Sequence, residues 1–226
     1  MPNKLISEAI TPDGEKISLT QEGADYVVRI RGELLMSSRQ TGSEEEMADM
    51  ALSMLPTDKA QSPNILIGGL GLGFTLRAVL DLASSNSTIT VLELIHDIVE
   101  WNRTILAPYS LHALDDPRVS VEVGDIVEYL SVVNQAFDTI ILDIDNGPEA
   151  FTVESNQLLY SAAGLKRLYR ALKTNGVIIL WSAFKSASFE KKLKTAGFSA
   201  KSVTVRARAK ARKGARHTLF IAKKHA

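Results

Sequence analysis

Hydrophobic and polar side chains follow two different patterns along the chain. In residues 1–42 they alternate with period two, as in KISLT and DYVVRIRG, and turn-forming residues occur at Pro12-Asp13-Gly14 and Glu22-Gly23-Ala24. This alternation predicts a small antiparallel sheet, which we call the N-terminal β-rich subdomain. In residues 43–226, runs of Ile, Leu and Val alternate with stretches of helical periodicity, and this pattern predicts one larger α/β domain.

The larger domain is predicted to begin with a helix. Ser43 and Glu46 have the spacing of a capping box, and Pro56 marks the end of the helix. An apolar stripe at helical spacing is predicted to pack against the core; it consists of Met47, Met50, Ala51, Met54 and Leu55.

Seven strands are predicted in the larger domain, at residues 64–68, 88–94, 119–124, 138–144, 176–182, 200–205 and 217–223. Helices fill the gaps between the first six. Strands of consecutive Ile, Leu and Val are typical of a parallel sheet that is covered on both faces, so the pattern predicts a doubly wound α/β fold. The last two strands are joined by a turn at Lys213-Gly214, which predicts a hairpin and one antiparallel strand.

The composition excludes several classes of protein. The 226 residues contain no cysteine, which excludes disulfide scaffolds, thiol nucleophiles and Cys-ligated metal centres. No metal site is predicted, because metal-ligand spacing is absent among His96, His112, His217 and His225. The first residues lack the apolar core of a signal peptide, and glycines and Arg77 interrupt the stretch 65–83, so we expect no membrane segment and a cytoplasmic location.

The balanced net charge conceals a strong asymmetry. Residues 191–226 contain 12 basic residues and no acid, which leaves 14 basic and 26 acidic residues in residues 1–190. Four of the basic residues alternate, as Arg206, Arg208, Lys210 and Arg212, so one extended face could follow a phosphate backbone. A nucleic acid is therefore one candidate partner. The alternative is that this basic segment docks on the acidic body of a neighbouring subunit.

A glycine-rich loop joins the first predicted strand of the large sheet to a helix over residues 74–82. Gly69, Gly71 and Gly73 allow a tight turn and a close approach of the backbone to a ligand. Glu93 follows 20 residues after Gly73, at the end of the second strand, where a carboxylate accepts both hydroxyls of a ribose. The alternatives are glycines that serve packing alone, and an exposed Glu93 that caps the next helix.

Further acids follow the third and fourth predicted strands of the large sheet. Asp125 follows the third strand, where it can accept a hydrogen bond from an adenine amine or act as the N-cap of a helix at residues 126–130. Asp143 follows the fourth strand and can hold an amine and remove its proton, while Asp145 can anchor a second ammonium. The alternative for Asp143 and Asp145 is an Asx-turn, in which their side chains bond only to the neighbouring backbone.

The motifs that carry a family resemblance are the loop at residues 68–73, Glu93, Gly124-Asp125, and Asp143 followed by Gly147-Pro148. This set resembles the spermidine synthase-like family, the polyamine aminopropyltransferases, within the Rossmann-like class I S-adenosylmethionine-dependent methyltransferase superfamily. The resemblance also includes the β-rich N-terminus and the segment LKTNGVIILWSA. It implies a mostly parallel, seven-stranded Rossmann-like methyltransferase sheet, a small N-terminal antiparallel subdomain, and a homodimer.

The resemblance also implies a reaction. The donor would be decarboxylated S-adenosylmethionine, the acceptor a small amine or polyamine, and the group transferred an aminopropyl group. Asp143 would be the base that activates the acceptor nitrogen. The donor-binding residues would be Gly69, Gly71, Gly73, Glu93 and Asp125.

The chain departs from the family pattern at three places. The family's glycine loop holds an aspartate that grips the donor's amino group, whereas here Leu70 and Leu72 flank Gly71. The loop after Asp143 is shorter than in the family. The family's Tyr-His-Glu-like stretch is replaced by Gln40 and a run of glutamates. The substrate-binding positions implied by the resemblance are Asp145, Gln40 and Glu46.

Charge favours a cationic acceptor. Acids are expected near the mouth of the cleft, in a body with excess negative charge; they are residues 44–46, Asp143, Asp145, Glu149 and Glu154. Two alternatives remain open. One is a methyltransferase that uses intact S-adenosylmethionine on a small amine or on RNA, which the missing donor-gripping aspartate favours. The other is a non-catalytic nucleoside-binding protein.

Overall fold

The computed structural model describes residues 3–39, 41–144, 147, 156–208 and 213–225. The N-terminal strands form a four-stranded antiparallel sheet in chain order, as the period-two alternation predicted. Hairpin turns at both predicted positions join the first three strands. The strands are β1 (Lys4–Ile10), β2 (Lys16–Glu22), β3 (Asp25–Ile30) and β4 (Glu33–Ser37). The predicted domain boundary at residues 42 and 43 stays a prediction.

Seven helices and seven strands follow in the part of the chain that the structure describes. The helices are α1 (Gly42–Ser53), α2 (Phe74–Leu82), α3 (His96–Arg103), α4 (Ile126–Val132), α5 (Asn156–Leu159), α6 (Ala162–Ala171) and α7 (Ala187–Thr195). The strands are β5 (Asn64–Gly68), β6 (Thr88–Glu93), β7 (Val119–Val123), β8 (Phe137–Leu142), β9 (Leu172–Ser182), β10 (Ser199–Arg208) and β11 (Lys213–Lys223).

The large sheet has the strand order β10-β11-β9-β8-β5-β6-β7. Strands β5 to β9 are parallel to one another, and β11 pairs antiparallel with both β9 and β10. The mostly parallel, doubly wound sheet with one inserted antiparallel strand is therefore confirmed. The chain continues from β5 to β6 on one side, while β8 pairs with β5 on the other, so a crevice forms at the carboxyl end of β5.

The core lies in two layers because side chains of the central strands point alternately to opposite faces. Ile65 and Ile67 pack on the face that contacts the N-terminal sheet and α1 to α3. Leu66 packs on the other face, against α4, α6 and α7. Every residue of β8 is buried, which explains its nearly continuous apolar sequence. In the described residues, no helix is both long enough and apolar enough to span a bilayer.

Three strands are longer than predicted. β9 begins at Leu172 instead of residue 176, because Leu172 pairs with Phe137 before an irregularity at the polar residues 173–176. Asn175 has a positive φ of 63° there, which explains why the segment resembled a loop in the sequence. β10 and β11 extend past the neighbouring strand β9 as a two-stranded ribbon, in which Arg206 pairs with Arg216.

The predicted capping box at Ser43 and Glu46 is wrong. Helix α1 begins at Gly42, with Thr41 at the N-cap position, so Ser43 already lies inside the first turn. Its hydroxyl donates to Oε2 of Glu44 at 2.7 Å instead of accepting from the backbone. The predicted apolar stripe does pack inward: Met47 and Ala51 are fully buried against the core.

Candidate functional site

The glycine loop between β5 and α2 lies at the switch point of the sheet. Gly69, Gly71 and Gly73 have positive φ values of 86°, 55° and 82°, a conformation that L-residues other than glycine rarely adopt. A Cβ on Gly69 would lie 2.2 Å from the backbone oxygen of Asp143. A Cβ on Gly73 would lie 2.8 Å from Oδ1 of Asn102. The glycines therefore serve both the loop conformation and close packing against neighbouring segments.

Glu93 ends β6 beside this loop and holds it in place. Its Oε2 accepts a hydrogen bond from the Leu70 amide at 2.8 Å, and its Oε1 accepts one from the Ile95 amide at 3.0 Å. Burial raises the pKa of Glu93, and hydrogen bonds from backbone amides, Ile95 first, oppose that rise. Glu93 is only 6% exposed, so the alternative of an exposed capping acid is wrong. Its role toward a ribose stays a prediction.

Asp125 lies at the end of β7 and begins α4. Its Oδ1 accepts a hydrogen bond from the amide of Val127 at 2.6 Å, which confirms the N-cap role. The same residue lines a small cavity together with Gly124 and Glu93. Its predicted contact with an adenine amine stays a prediction.

Two adjoining cavities open above the carboxyl ends of the strands. The larger cavity measures about 500 Å³ and extends from the glycine loop to the N-terminal sheet, α1 and β11. The smaller measures about 70 Å³ and is lined by Gly69, Glu93 and Asp125 among others. Five residues line both cavities: Leu35, Met36, Gly71, Asp143 and Ile144. The smaller cavity has room for about two waters.

Asp143 lies at the junction of the two cavities. Its Oδ2 accepts a hydrogen bond from the Thr75 hydroxyl, in the first turn of α2, at 2.7 Å. Burial raises the pKa of Asp143, and the hydrogen bond from Thr75 opposes that rise. Glu44, on α1, lines the same large cavity. Burial, and then the charge of Asp143, raise the pKa of Glu44 to about 7.

These two partly buried carboxyls have no basic partner among the residues that the structure describes. The basic side chains of the large cavity are engaged elsewhere, on the N-terminal sheet. Arg29 and Arg39 both bind Glu22, at 2.7 Å and 2.8 Å, and this pairing lowers the pKa of Glu22. On the N-terminal sheet, the charges that line the cavity are paired with one another. Asp143 and Glu44 have no such partner, so this part of the cavity favours a cationic ligand.

The far wall of the large cavity is formed by β9 and β11. The ring of His217 packs edge-on against Trp181, with centroids 4.7 Å apart. The Nδ1 of His217 lies 3.3 Å from the Ser43 hydroxyl. Burial lowers the pKa of His217. Ser43 thus connects His217 to Glu44 through two hydrogen bonds.

The structure brings together most of the residues predicted from the sequence. Gly69, Gly71, Glu93 and Asp125 line the small cavity with Asp143, whereas Gly73 lines neither cavity. Glu46 is not among the lining residues of either cavity, and Glu44 takes that place. Gln40, Asp145, Glu149, Glu154, Lys210 and Arg212 lie outside the described residues.

Three residues of the cavity carried no signal in the sequence that marked them as functional. Thr75 was hidden in the helix after the glycine loop. His217 was considered only as a metal ligand, and no group of three or more metal-ligating side chains occurs in the described parts of the chain. Ser43 was assigned to a cap. With the helix start at Gly42, Ser43 and Glu44 both lie in the first turn of α1 and line the large cavity.

The fold and this site define the class: doubly wound α/β proteins with a glycine-rich loop and strand-end carboxylates at the switch point. A family model described as "Spermine/spermidine synthase domain" matches residues 41–205. The chain therefore belongs to the spermine/spermidine synthase family.

Curated relatives match about half of the chain. A polyamine aminopropyltransferase 2 of Pseudomonas aeruginosa is 33% identical over 130 residues, which are 56% of this chain and 34% of the relative. A polyamine aminopropyltransferase of Thermococcus onnurineus is 34% identical over 115 residues, 51% of this chain and 38% of the relative. The matched part of this chain thus spans well under half the length of those relatives.

Solved structures share the fold over almost the whole chain. A spermidine synthase in complex with the transition state analogue AdoDATO has a TM-score of 0.79 at 20% identity, covering 98% of this chain and 74% of that one. The spermidine synthase of Thermotoga maritima has a TM-score of 0.77 at 19% identity, covering 98% of this chain and 73% of that one. The N-terminal sheet and the seven-stranded sheet are therefore both features of the spermidine synthase-like fold.

Proposed function

We propose that this protein is an enzyme that transfers an aminopropyl group from decarboxylated S-adenosylmethionine to an amine. The observation that carries the proposal is the position of Asp143, which lines both cavities. Transfer to a protonated amine needs a base at the point where donor and acceptor meet, and Asp143 lines both cavities. Family membership and the aminopropyltransferase names of the curated relatives support the same reaction.

The donor's nucleoside is assigned to the small cavity and the glycine loop. Glu93 and Asp125 end neighbouring strands there, and carboxylates at this edge suit a ribose and an adenine amine. Both residues are fixed by backbone amides, so they are preorganised for a ligand. The sulfonium carbon would then lie toward Asp143 and the large cavity.

The acceptor is assigned to the large cavity. Its volume of about 500 Å³ is in the usual range for small-molecule sites. Asp143 and Glu44 are partly buried without a basic partner in the described structure, and an ammonium group supplies the missing positive charge. A polyamine or another small amine fits this requirement.

The reaction requires an unprotonated acceptor nitrogen. An alkylammonium has a pKa near 10, so a base must remove its proton at neutral pH. Asp143 accepts that proton, and the nitrogen lone pair attacks the methylene carbon next to the sulfonium. The carbon–sulfur bond breaks as the carbon–nitrogen bond forms, and a neutral thioether nucleoside leaves. Positioning and desolvation account for most of the acceleration, because a sulfonium is already a good leaving group.

Calorimetric titration tests the donor. Decarboxylated S-adenosylmethionine, intact S-adenosylmethionine and methylthioadenosine are compared on the same preparation. Tighter binding of the decarboxylated form supports the proposal. Tighter binding of the intact form contradicts it.

The variant Asp143→Asn tests the mechanism. Asn can still accept the Thr75 hydrogen bond but cannot take a proton, so aminopropyl transfer should fall at least about 100-fold. Binding of methylthioadenosine should stay within about threefold of the wild type. The exposed Asp49→Asn on α1 is the control, and normal turnover in Asp143→Asn would refute the assignment of the base.

One observation favours methyl transfer instead. In the glycine loop, Leu70 and Leu72 are buried apolar residues, so the loop offers no acid to the donor's amino group. A methyltransferase would bind intact S-adenosylmethionine, and its turnover would not require Asp143. The two experiments above therefore separate the two reactions.

A further inference from the structure

We propose that Glu44, Ser43 and His217 form a proton relay that carries the acceptor's proton from Asp143 out of the large cavity. The inference rests on the proposed function, because it concerns the fate of the proton that aminopropyl transfer releases. It assigns a role to three residues of the cavity wall that the proposed reaction otherwise leaves unused.

Hydrogen bonds connect three of the four groups in the structure, and the fourth, Asp143, lines the same large cavity as Glu44. The charge of Asp143 contributes to the raised pKa of Glu44. The Ser43 hydroxyl lies 2.7 Å from Oε2 of Glu44 and 3.3 Å from Nδ1 of His217. Ser43 and His217 are 174 residues apart in the sequence, so the contact between α1 and β11 depends on the folded sheet.

Each group suits its place in the chain of hydrogen bonds. Ser43 is buried and does not cap α1, so its hydroxyl is free to accept from one neighbour and donate to the other. His217 is half-buried beside Trp181, and its chain neighbours Ala215 and Arg216 are exposed. His217 is therefore the point at which the buried pair of carboxyls reaches the cavity mouth.

Burial shifts the pKa of each titratable group in the relay, upward for Asp143 and Glu44 and downward for His217. Glu44 has a pKa of about 7, raised by burial and by the charges of Asp143 and Glu45. Burial holds the pKa of His217 below its ordinary value of 6.5. Glu22, Arg29 and Arg39 face the cavity from the N-terminal sheet but are paired with one another. Arg206 and Arg216 lie on the ribbon next to His217.

The proton moves in balanced steps. The acceptor ammonium gives one proton to Asp143, from which it passes to Glu44. The protonated Glu44 donates to Ser43, whose own hydrogen passes to Nδ1 of His217 while His217 carries its other hydrogen on Nε2. The resulting imidazolium loses the Nε2 proton to solvent, and proton exchange with solvent then restores the tautomer with hydrogen on Nε2 before the next turnover. The free amine attacks the sulfonium, so one proton is released for each aminopropyl group transferred.

Activity as a function of pH tests the relay. Ser43→Ala and His217→Gln should lower kcat/KM about 100-fold at neutral pH. The loss of kcat/KM relative to the wild type should shrink about tenfold for each pH unit above neutral pH, because the solution then supplies the unprotonated amine directly. Asp49→Asn, an exposed acid on the same helix, is the control. A deficit that stays constant with pH indicates a purely structural role and overturns the proposal.

A measurement without turnover separates this inference from the proposed function. The chemical shifts of the His217 ring nitrogens, measured by NMR as a function of pH, should show an inflection near pH 7 that reports the titration of Glu44. Glu44→Gln and Ser43→Ala should each abolish this inflection. If the inflection is absent from the wild type, the relay is refuted even if the enzyme transfers aminopropyl groups. If the inflection is present in the wild type and absent from both variants, but no amine accepts an aminopropyl group, the proposed function fails and the hydrogen-bonded connection stands.

Discussion

Replacing Glu44 with Gln should make the protein more stable at neutral and alkaline pH. Gln has nearly the same shape and can still accept the hydrogen bond of Ser43, but it carries no charge beside Asp143. In the wild type, the folded-state pKa of Glu44 is raised, so folding favours the protonated carboxyl. The stability that Glu44 contributes is therefore fully present below about pH 4.5, and it is lost as the pH rises through about 7.

The size of this effect follows from the pKa. A rise from 4.5 to about 7 corresponds to about 3 kcal/mol, at about 1.36 kcal/mol for each pKa unit. The free energy of unfolding of Glu44→Gln minus that of the wild type should thus increase by about 3 kcal/mol between about pH 4 and pH 8.5. Carboxylates remote from Glu44 titrate equally in both proteins, so the subtraction removes their contribution and leaves that of Glu44 together with its interaction with Asp143.

Urea unfolding, followed by Trp fluorescence at several pH values, measures this difference. Asp49→Asn provides the matched control: it removes one exposed charge from the same helix and should change stability by less than about 0.5 kcal/mol at every pH. A difference between Glu44→Gln and the wild type that does not change with pH would show that Glu44 has an ordinary pKa. The acid pair, and with it the argument for a cationic acceptor, would then be refuted.

Three further substitutions have definite expected outcomes. Gly69→Ala places a Cβ 2.2 Å from the Asp143 carbonyl oxygen at a positive φ, and should destabilise by at least about 3 kcal/mol in urea unfolding. Asp125→Ala removes the hydrogen bond to the Val127 amide and should cost about 1 kcal/mol, whereas Asp125→Asn should keep the cap and reveal in calorimetry any loss of nucleoside binding. Thr75→Val removes the hydrogen bond that lowers the pKa of Asp143, so the acid limb of the pH–rate profile should move to higher pH; an unmoved limb would contradict Asp143 as the base.

The strand-end residues were predictable from the sequence because parallel strands bring their carboxyl ends to one edge. The spacing from Gly73 to Glu93 follows from one helix and one strand, so the sequence positions both residues at the same crevice. The sequence did not indicate that Glu93 itself bonds to the glycine loop, since hydrogen bonds between loops depend on the twist of the sheet.

The acidic side of the large cavity was predictable only in part. Successive residues of a helix point about 100° apart, so Glu44 and Glu46 face nearly opposite directions. The resemblance implied Glu46, but of these two glutamates only Glu44 lines the cavity. His217 was beyond reach for another reason: β11 enters the sheet between β9 and β10, and no local pattern predicts which strand an inserted hairpin will join.

The two walls of the large cavity come from different parts of the chain, which matters for changing the proposed acceptor by design. The glycine loop packs closely on Asp143, since a Cβ on Gly69 would lie 2.2 Å from the Asp143 carbonyl oxygen, so a longer side chain there disturbs both segments. The opposite wall of the large cavity is contributed by β3 and β4, through residues that include Arg29, Leu34 and Ser37. Ile30, Leu35 and Met36 of the same strands also line the small cavity. A library that varies the first three positions and keeps the other three fixed can therefore reshape the proposed acceptor side without changing the proposed donor side.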